Sequence, residues 1–286
     1  MPTNQQRREA AKRKLERQIV RRTEKAKRRK IVGSVAVVGV VAIVAGAVWW
    51  IVSSSGSGDD AASDASPSSA PPTPEVTIPS ERTPMPKRPT PLANPVACDY
   101  KDDASKAAAK KVNKPEGKDV SSNGTVNLVL KSTAGDIPLT LDRALAPCAV
   151  QSFISLSQQG YFNDTKCHRL GTTGLQMLQC GDPEASGMGG PGYTMPDEAF
   201  KEIKYGRGIL AMAKTQQPNS GGSQFFMVYG EAELPAEYSV FGSISDEGLK
   251  VLDKVAKAGA NAQAGNGDGT GPPNTEVKFT GVTVNA

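Results

Sequence analysis

A single apolar run near the N-terminus constrains this chain more than any other feature. It extends over twenty-two residues without a charge, from Ile31 to Val52. As a helix rising about 1.5 Å per residue, the run would slightly exceed the roughly 30 Å hydrocarbon core of a bilayer. The sequence therefore predicts one transmembrane helix over residues 31–52. Because no second run of this length occurs, a polytopic membrane protein is excluded.

The charge that precedes the run sets its expected orientation. Residues 1–30 hold thirteen Lys and Arg against three Asp and Glu, a net +10, so the whole-chain +5 leaves −5 for the remainder. Basic segments stay on the cytoplasmic side of a membrane. We therefore expect a single-pass protein of the cell membrane, with a basic cytoplasmic segment at 1–30 and an extracytoplasmic C-terminal domain. No nucleic-acid partner is expected, because the basic charge is not spread over a folded face.

A cleaved signal peptide is the alternative interpretation of this N-terminal region. Ala45, Gly46 and Ala47 resemble an A-x-A cleavage site. The apolar core of a signal peptide is about 7 to 15 residues, however, and this run is longer. Both interpretations export the C-terminal part, and the sequence leaves open whether the helix is removed.

The composition changes twice after the apolar run. Residues 53–97 hold ten of the twenty-one prolines among many Ser and Thr, and such a tract buries too little apolar surface to offset the entropy of ordering. It predicts a disordered linker. Residues 98–121 are assigned as an N-terminal extension of the soluble domain. Residues 122–286 have the length of one compact domain.

The hydrophobic pattern of this domain is mainly that of short strands. Residues 126–132 and 137–141 alternate around a turn and predict a hairpin. One helix is expected from Pro147 to Gly160 and another over 247–258. Further strand-like runs are 167–170, 177–180, 209–213, 224–229, 238–244 and 277–284. Many short strands with two isolated helices indicate a closed or nearly closed antiparallel barrel with helical plugs.

The cysteines and the one histidine exclude several kinds of site. An even number of cysteines in an exported segment favours two disulfides, with three possible pairings, although four buried thiols are the alternative. Cys167 and His168 are adjacent on a strand and point to opposite faces, which disfavours a thiol and base pair. No cluster has the spacing of metal ligands, so we expect neither a metal nor a cofactor. The cysteines are Cys98, Cys148, Cys167 and Cys180.

A glycine-rich stretch, GMGGPG from Gly187 to Gly192, has the letter spacing of a dinucleotide-binding loop. Pro191 interrupts it and no helix pattern opens after it, so the structural context of such a motif is missing. The stretch is predicted to be an ordinary glycine loop.

A set of motifs spread along the domain is more informative. They are CHRL from Cys167, MLQCGD from Met177, GILAMAK from Gly208, PNSGGSQFF from Pro218 and YSVFG from Tyr238. Together they resemble the cyclophilin family of peptidyl-prolyl cis-trans isomerases, most closely its exported, membrane-tethered actinobacterial members. The resemblance covers about Val126 to Ala286. It implies a mainly β fold, a closed antiparallel eight-stranded barrel capped by two helices.

The resemblance also implies roles for individual residues. Arg169 matches the catalytic arginine, and Gln179 matches the glutamine that positions it. Gln176, Lys214 and Tyr238 depart from the usual residues, and the common pocket tryptophan is absent, so weak cyclosporin inhibition is expected. The implied substrate-binding residues are Met177, Gln179, Ala213, Lys214, Gln224, Phe226, Leu234 and Tyr238. By alternation, Phe225 is expected to face the core and Phe226 the groove.

These observations lead to one expected function and two alternatives. The expected function is cofactor-free isomerisation of Xaa-Pro segments in unfolded or exported polypeptides, which assists their folding. Arg169 would donate to the imide nitrogen while an apolar pocket holds the proline ring. The departures motivate a weakly catalytic or non-catalytic peptide-binding chaperone module as the first alternative. A purely structural envelope anchor is the second.

Overall fold

The structure, a computed structural model, describes residues 76–104, 106–265 and 268–285. The predicted cytoplasmic segment, the predicted transmembrane helix at 31–52 and linker residues 53–75 lie outside these ranges. In the described ranges, none of the helices combines the length and apolar character needed to cross a bilayer.

The described residues form short strands and two helices, in an order close to the one predicted. The strands are β1 (Lys101–Asp102), β2 (Thr125–Ser132), β3 (Ile137–Asp142), β4 (Arg169–Gly171), β5 (Leu175–Cys180), β6 (Tyr193–Thr194), β7 (Ile209–Met212), β8 (Phe225–Ala232), β9 (Val240–Ile244) and β10 (Phe279–Asn285). The helices are α1 (Pro147–Gln158) and α2 (Asp246–Lys257), followed by a 3-10 turn at Ala262–Ala264.

Eight of these strands make one antiparallel sheet in the order β10-β2-β3-β9-β7-β8-β5-β4, and β1 pairs separately with β6. The sheet curls into a half-barrel. The expected closed ladder is not continuous, because its two edge strands are linked only by a bridge between Lys166 and Lys278 and by neighbouring loop bonds. Asp164 adopts a left-handed φ of 62° in the segment before β4, and its N–H donates to the Phe279 carbonyl at 2.8 Å.

The main core fills the concave side of the sheet. Phe153 of α1 lies 4.9 Å from Phe162, 5.1 Å from Phe225 and 5.3 Å from Phe241, measured between ring centroids. Helix α2 buries an apolar stripe and is capped at Ser245, whose hydroxyl accepts from the Gly248 N–H at 3.1 Å. The two helices therefore plug the half-barrel, as the pattern of many short strands with two isolated helices predicts.

Helix α1 lacks a polar residue of its own at its N-cap, Ala146. A distant carboxylate takes that place: Glu198 accepts the Cys148 N–H at 3.0 Å and the Ala149 N–H at 2.8 Å. Burial raises the pKa of Glu198 to about 7, although both N–H bonds and the Arg88 guanidinium favour the charged form. Ionisation of the Glu198 carboxyl in this buried position therefore costs free energy.

This burial predicts a pH dependence of stability. Because the folded pKa of about 7 exceeds the ordinary value of 4.5 for a glutamate, the folded state binds the extra proton, and stability falls as pH rises between these values. We expect the free energy of unfolding to drop by roughly 2 kcal/mol across that window, a figure reduced for the partial exposure of the side chain. Glu198→Gln should flatten the profile in denaturant titrations. A variant profile parallel to that of the wild type would contradict this.

Two disulfides fix the segment before β2 and the strand pair β4–β5. Cys98 is bonded to Cys148, and Cys167 is bonded to Cys180. The prediction of two disulfides is confirmed, and the structure resolves the pairing. The first bond joins residues 98–121 to the start of α1, where the Tyr100 hydroxyl also donates to the Cys148 carbonyl at 2.8 Å.

Residues 76–97, which we call the strap, differ from the prediction of a disordered linker. Arg82 donates to the Ile244 carbonyl at 2.6 Å and to Asp246 at 2.8 Å. The Arg88 guanidinium donates to the Leu145 carbonyl at 2.9 Å and lies 4.8 Å from the centroid of the Phe200 ring. A proline-rich chain forms few internal hydrogen bonds, so composition predicts disorder. Here the order comes from contacts with the domain.

Candidate functional site

A cavity of about 130 Å³ opens on the face of the sheet opposite the main core; we call it the apolar cavity because five of its nine lining residues are Leu, Met, Ala or Phe. It contains the predicted catalytic arginine and every predicted substrate-binding residue except Gln224, together with one residue that the motifs did not indicate, Leu175. Its lining residues are Arg169, Leu175, Met177, Gln179, Ala213, Lys214, Phe226, Leu234 and Tyr238. The structure thus brings together residues that are up to 69 positions apart in the sequence, from Arg169 to Tyr238.

Strand register explains why three of these side chains share a face. Arg169 of β4 pairs with Gln179 of β5, and Gln179 pairs with Phe226 of β8. Directly paired residues in an antiparallel sheet point to the same side. The three side chains therefore form one row across three adjacent strands, and a register shift of one residue would turn the row into the core.

The two adjacent phenylalanines of β8 separate as expected from strand alternation. Phe225 belongs to the main core, whereas Phe226 packs with Met177 in a second apolar cluster at the cavity. The Phe226 ring lies 5.6 Å from that of Tyr238 in an edge-to-face arrangement. The prediction that Phe225 faces inward and Phe226 faces the groove is confirmed.

Arg169 is held at the polar end of this cavity. Its Nη1 donates to the Gln179 side-chain oxygen at 3.2 Å. The Gln179 amide donates in turn to Gln224 at 2.9 Å, and Gln224 donates to the Gly189 carbonyl at 2.9 Å. A chain of hydrogen bonds therefore connects the arginine to the glycine loop, and each member fixes the orientation of the next.

The opposite edge of the guanidinium contacts a loop near the C-terminus. Arg169 Nε donates to the Thr270 hydroxyl at 2.8 Å, and Nη2 donates to Asp268 at 2.8 Å. Neither acceptor was indicated by the motifs. Both lie about a hundred residues beyond the arginine, in a loop without strand or helix periodicity, so no local sequence signal could have identified them.

Gln224 lies in an adjoining cavity of about 110 Å³ rather than in the first. The two cavities share Gln179, Ala213 and Lys214. The second cavity is bounded on one side by the glycine loop and on another by the segment before β2, which contributes Lys106. The site is therefore a groove with two adjoining compartments that meet at these three residues.

The glycine loop is organised by one buried carboxylate, Asp182. It accepts the backbone N–H groups of Glu184, Ser186, Gly187 and Gly189 at 2.7 to 3.1 Å. Burial opposes ionisation of Asp182, but the hydrogen bonds outweigh it and hold the pKa of this carboxyl below its ordinary value. A Cβ at position 189 would lie 2.0 Å from the carboxylate, so this close approach requires glycine.

Two of the departures from the family pattern have structural explanations. The buried Gln176 amide donates to the Thr77 carbonyl of the strap at 2.7 Å and accepts the Glu231 N–H at 2.8 Å. It therefore ties the strap to the strand that carries Met177. The Lys214 ammonium lies 3.3 Å from the Asp197 carboxylate, so its charge is paired at the wall of the groove.

Cys167 and His168 do not form a thiol and base pair. Cys167 is in a disulfide. Burial lowers the pKa of His168, since the attraction of Asp182 is smaller and Arg169 opposes protonation. Neither ring nitrogen of His168 has a hydrogen-bond partner among the described residues. The nucleophile interpretation is therefore excluded for Cys167.

Comparison with known proteins identifies the family of this chain. Residues 125–284 match the family model of the cyclophilin type peptidyl-prolyl cis-trans isomerases. The chain belongs to this family, and the matched residues form a cyclophilin-type isomerase domain.

Two relatives and one solved structure are similar to this chain. A probable peptidyl-prolyl cis-trans isomerase B of Mycobacterium leprae is 47% identical over 197 residues, which cover 64% of each chain. A peptidyl-prolyl cis-trans isomerase of Dictyostelium discoideum is 38% identical over 163 residues, covering 55% of this chain and 97% of that protein. A crystal structure of a Cryptosporidium parvum cyclophilin-type isomerase is 28% identical, covers 57% of this chain and 99% of its own, and gives a TM-score of 0.48.

The match thus spans just under two thirds of the length of the mycobacterial relative.

Proposed function

We propose that this protein is a peptidyl-prolyl cis-trans isomerase that acts on Xaa-Pro segments of unfolded or exported polypeptides. The observation that carries the proposal is the position of Arg169 at the wall of an apolar cavity formed in part by Met177, Phe226 and Leu234. A cavity of this kind would accommodate a proline ring, and the Arg169 guanidinium in its wall would donate to the imide nitrogen of that ring.

The reaction needs loss of conjugation rather than cleavage of a bond. The partial double bond between carbon and nitrogen gives a rotation barrier of about 18 to 20 kcal/mol. When the peptide twists, the imide nitrogen becomes pyramidal and regains a lone pair. An N–H of the Arg169 guanidinium would donate to that lone pair, which stabilises the twisted state more than either planar state. Arginine suits this role because it stays charged at every relevant pH.

One hydrogen bond does not supply the whole rate enhancement. A hydrogen bond to a charged group contributes about 1.5 to 3 kcal/mol, or one to two powers of ten in rate. The remainder is assigned to the apolar cavity. Met177 and Phe226, both at most 5% exposed, would hold the proline ring while the preceding carbonyl rotates. Exclusion of water strengthens the interaction with the guanidinium.

The test is NMR exchange spectroscopy of an Xaa-Pro peptide with a catalytic amount of the full chain. We expect faster cis-trans exchange than in peptide alone. Peptide binding without acceleration would instead select the chaperone module motivated by Gln176, Lys214 and Tyr238. Absence of both binding and acceleration would favour the envelope anchor.

We further propose that the protein is a single-pass membrane protein whose C-terminal domain is extracytoplasmic and assists the folding of exported chains. The supporting observations are the apolar run at 31–52, the +10 charge before it and the pairing of four cysteines into two disulfides. Disulfides of this kind persist in oxidising compartments.

A pair of C-terminal fusions tests this orientation in bacterial cells. A fusion to alkaline phosphatase, which is active only after export, should be active. The matched fusion to β-galactosidase, which is active only in the cytoplasm, should be inactive. The reverse pattern would contradict the proposed orientation.

A further inference from the structure

The loop of residues 268–271 presents two acceptors to the guanidinium of Arg169. The Thr270 hydroxyl accepts from Nε at 2.8 Å and donates to Asp268 Oδ1 at 2.6 Å. Asp268 Oδ2 accepts from Nη2 at 2.8 Å. The hydroxyl therefore accepts a hydrogen bond from the arginine and donates one to the carboxylate. The carboxylate also binds the arginine directly.

The loop is fixed to the strand that carries the arginine. Leu170 and Gly271 exchange two backbone hydrogen bonds, at 2.7 and 3.1 Å. The Thr270 N–H donates to Asp268 Oδ1 at 3.0 Å, and Thr270 is only 5% exposed. Asp268 therefore does not sit on a free loop. Its side chain is bonded to Thr270, and the adjacent Gly271 is bonded to Leu170, the residue next to Arg169 in the chain.

The hydrogen bonds to Arg169 divide its donors into two sets. A guanidinium has five N–H groups. In the described part of the chain, Thr270, Asp268 and Gln179 accept from three of them. Two N–H groups are left for a ligand in the cavity that Arg169 lines.

The side chain of Arg169 needs such support, because it is long and 26% exposed. A flexible arginine loses rotamer entropy each time it adopts one geometry, and a small misplacement of a catalytic group reduces rate strongly. Gln179 holds Nη1 alone, and a single contact leaves the guanidinium free to rotate about it. Two contacts on the other edge remove that rotation.

We propose that Asp268, together with Thr270, is a positioning residue for Arg169 that aims its two remaining N–H groups into the apolar cavity. This inference rests on the proposed isomerase function and deepens it. It assigns a role to a carboxylate 99 residues beyond the arginine. The charge of Asp268 persists through neutral pH, since its hydrogen bonds to Thr270 and the nearby Arg169 hold its pKa at about 2.

The test uses the full chain with Asp268→Ala, Asp268→Asn and Thr270→Val. Asp246→Asn is the matched control, because Asp246 also accepts from an arginine, Arg82, at 2.8 Å and lies outside the groove. Two readouts are needed: kcat and KM for an Xaa-Pro peptide, and the NMR signal of the Arg169 Nε–H. Thermal unfolding of each variant shows whether it is folded.

Asp268→Ala should lower kcat about tenfold with little change in KM, and the Arg169 Nε–H should exchange faster with water. Asp268→Asn should show smaller changes in the same direction. Thr270→Val, which removes the acceptor of the Nε–H itself, should speed the exchange of that proton at least as much and lower kcat by a smaller factor, and Asp246→Asn should match the wild type. Wild-type kcat in both Asp268→Ala and Thr270→Val would overturn the proposal. So would a lower kcat with an unchanged Nε–H signal, because the loss would then come from elsewhere in the loop.

Failure of the proposed function gives a different result. In that case the wild type itself would not accelerate peptide exchange. The Nε–H signal would still decide the positioning role: faster exchange in folded Asp268→Ala supports it, and unchanged exchange overturns it.

Discussion

Arg169→Lys is expected to lower kcat/KM for an Xaa-Pro peptide by ten- to a hundredfold. Lysine keeps the positive charge but loses the planar set of donors that engages Gln179, Thr270 and Asp268 together. Its ammonium cannot maintain these bonds and also donate to the imide nitrogen. The loss corresponds to one charged hydrogen bond of about 1.5 to 3 kcal/mol in the transition state. Exchange spectroscopy with catalytic amounts of protein measures it.

Arg82→Lys is the matched control for this prediction. Arg82 is also an arginine that donates to a carboxylate, Asp246, but it belongs to the strap and lies outside the groove. It should retain wild-type activity. Equal activity of Arg169→Lys and Arg82→Lys would remove the guanidinium from the mechanism.

The second large effect is expected from Asp182→Ala, which should lower the free energy of unfolding by about 3 kcal/mol. The substitution leaves the N–H groups of Glu184, Ser186, Gly187 and Gly189 without their acceptor. The glycine loop would lose its shape, and the Gly189 carbonyl that orients Gln224 would move with it. Activity should therefore fall together with stability.

Denaturant titration measures the effect of Asp182→Ala, with Asp136→Ala in an exposed turn as the control. The pH dependence provides a second check. Because the folded pKa of Asp182 is lowered from the ordinary value of 3.8 for an aspartate, its stabilisation is complete above that value and is lost as pH falls through the lower folded pKa. The free energy of unfolding of the variant should lack this acid-sensitive contribution. A variant as stable as the control would contradict the role of Asp182.

The strands and helices of the domain could be predicted closely because their signals are local. Strand β8 alternates between the core and the groove, and the pattern correctly separated Phe225 from Phe226. Helix α1 begins at Pro147, where a proline costs no hydrogen bond. The prediction of a closed or nearly closed barrel holds in part: the eight strands form one antiparallel sheet that curls into a half-barrel.

The strap shows where composition misleads. Its prolines reduce internal hydrogen bonding, which is the basis for predicting disorder. Its arginines, however, bind carbonyls and a ring of the folded domain. These contacts join positions separated by 57 and 162 residues, and no local pattern reports a contact at such a distance.

The residues of the candidate site were likewise predictable from the sequence only in part. The resemblance identified Arg169, Gln179 and Phe226, and the strand register places them in one row. Asp268 and Thr270 could not be predicted, because an acidic residue in a glycine-rich loop is common and its partner is known only after folding. The Glu198 carboxylate at α1 was missed for the same reason.

The central claim is that the guanidinium of Arg169 accelerates rotation about the imide bond of a proline held in the cavity. The most direct measurement is the cis-trans exchange rate of an Xaa-Pro peptide at saturation, by NMR, in the wild-type full chain and in Arg169→Ala. The account predicts that both proteins bind the peptide and that only the wild type exchanges it rapidly. Equal exchange rates for the peptide bound to the two proteins would contradict it.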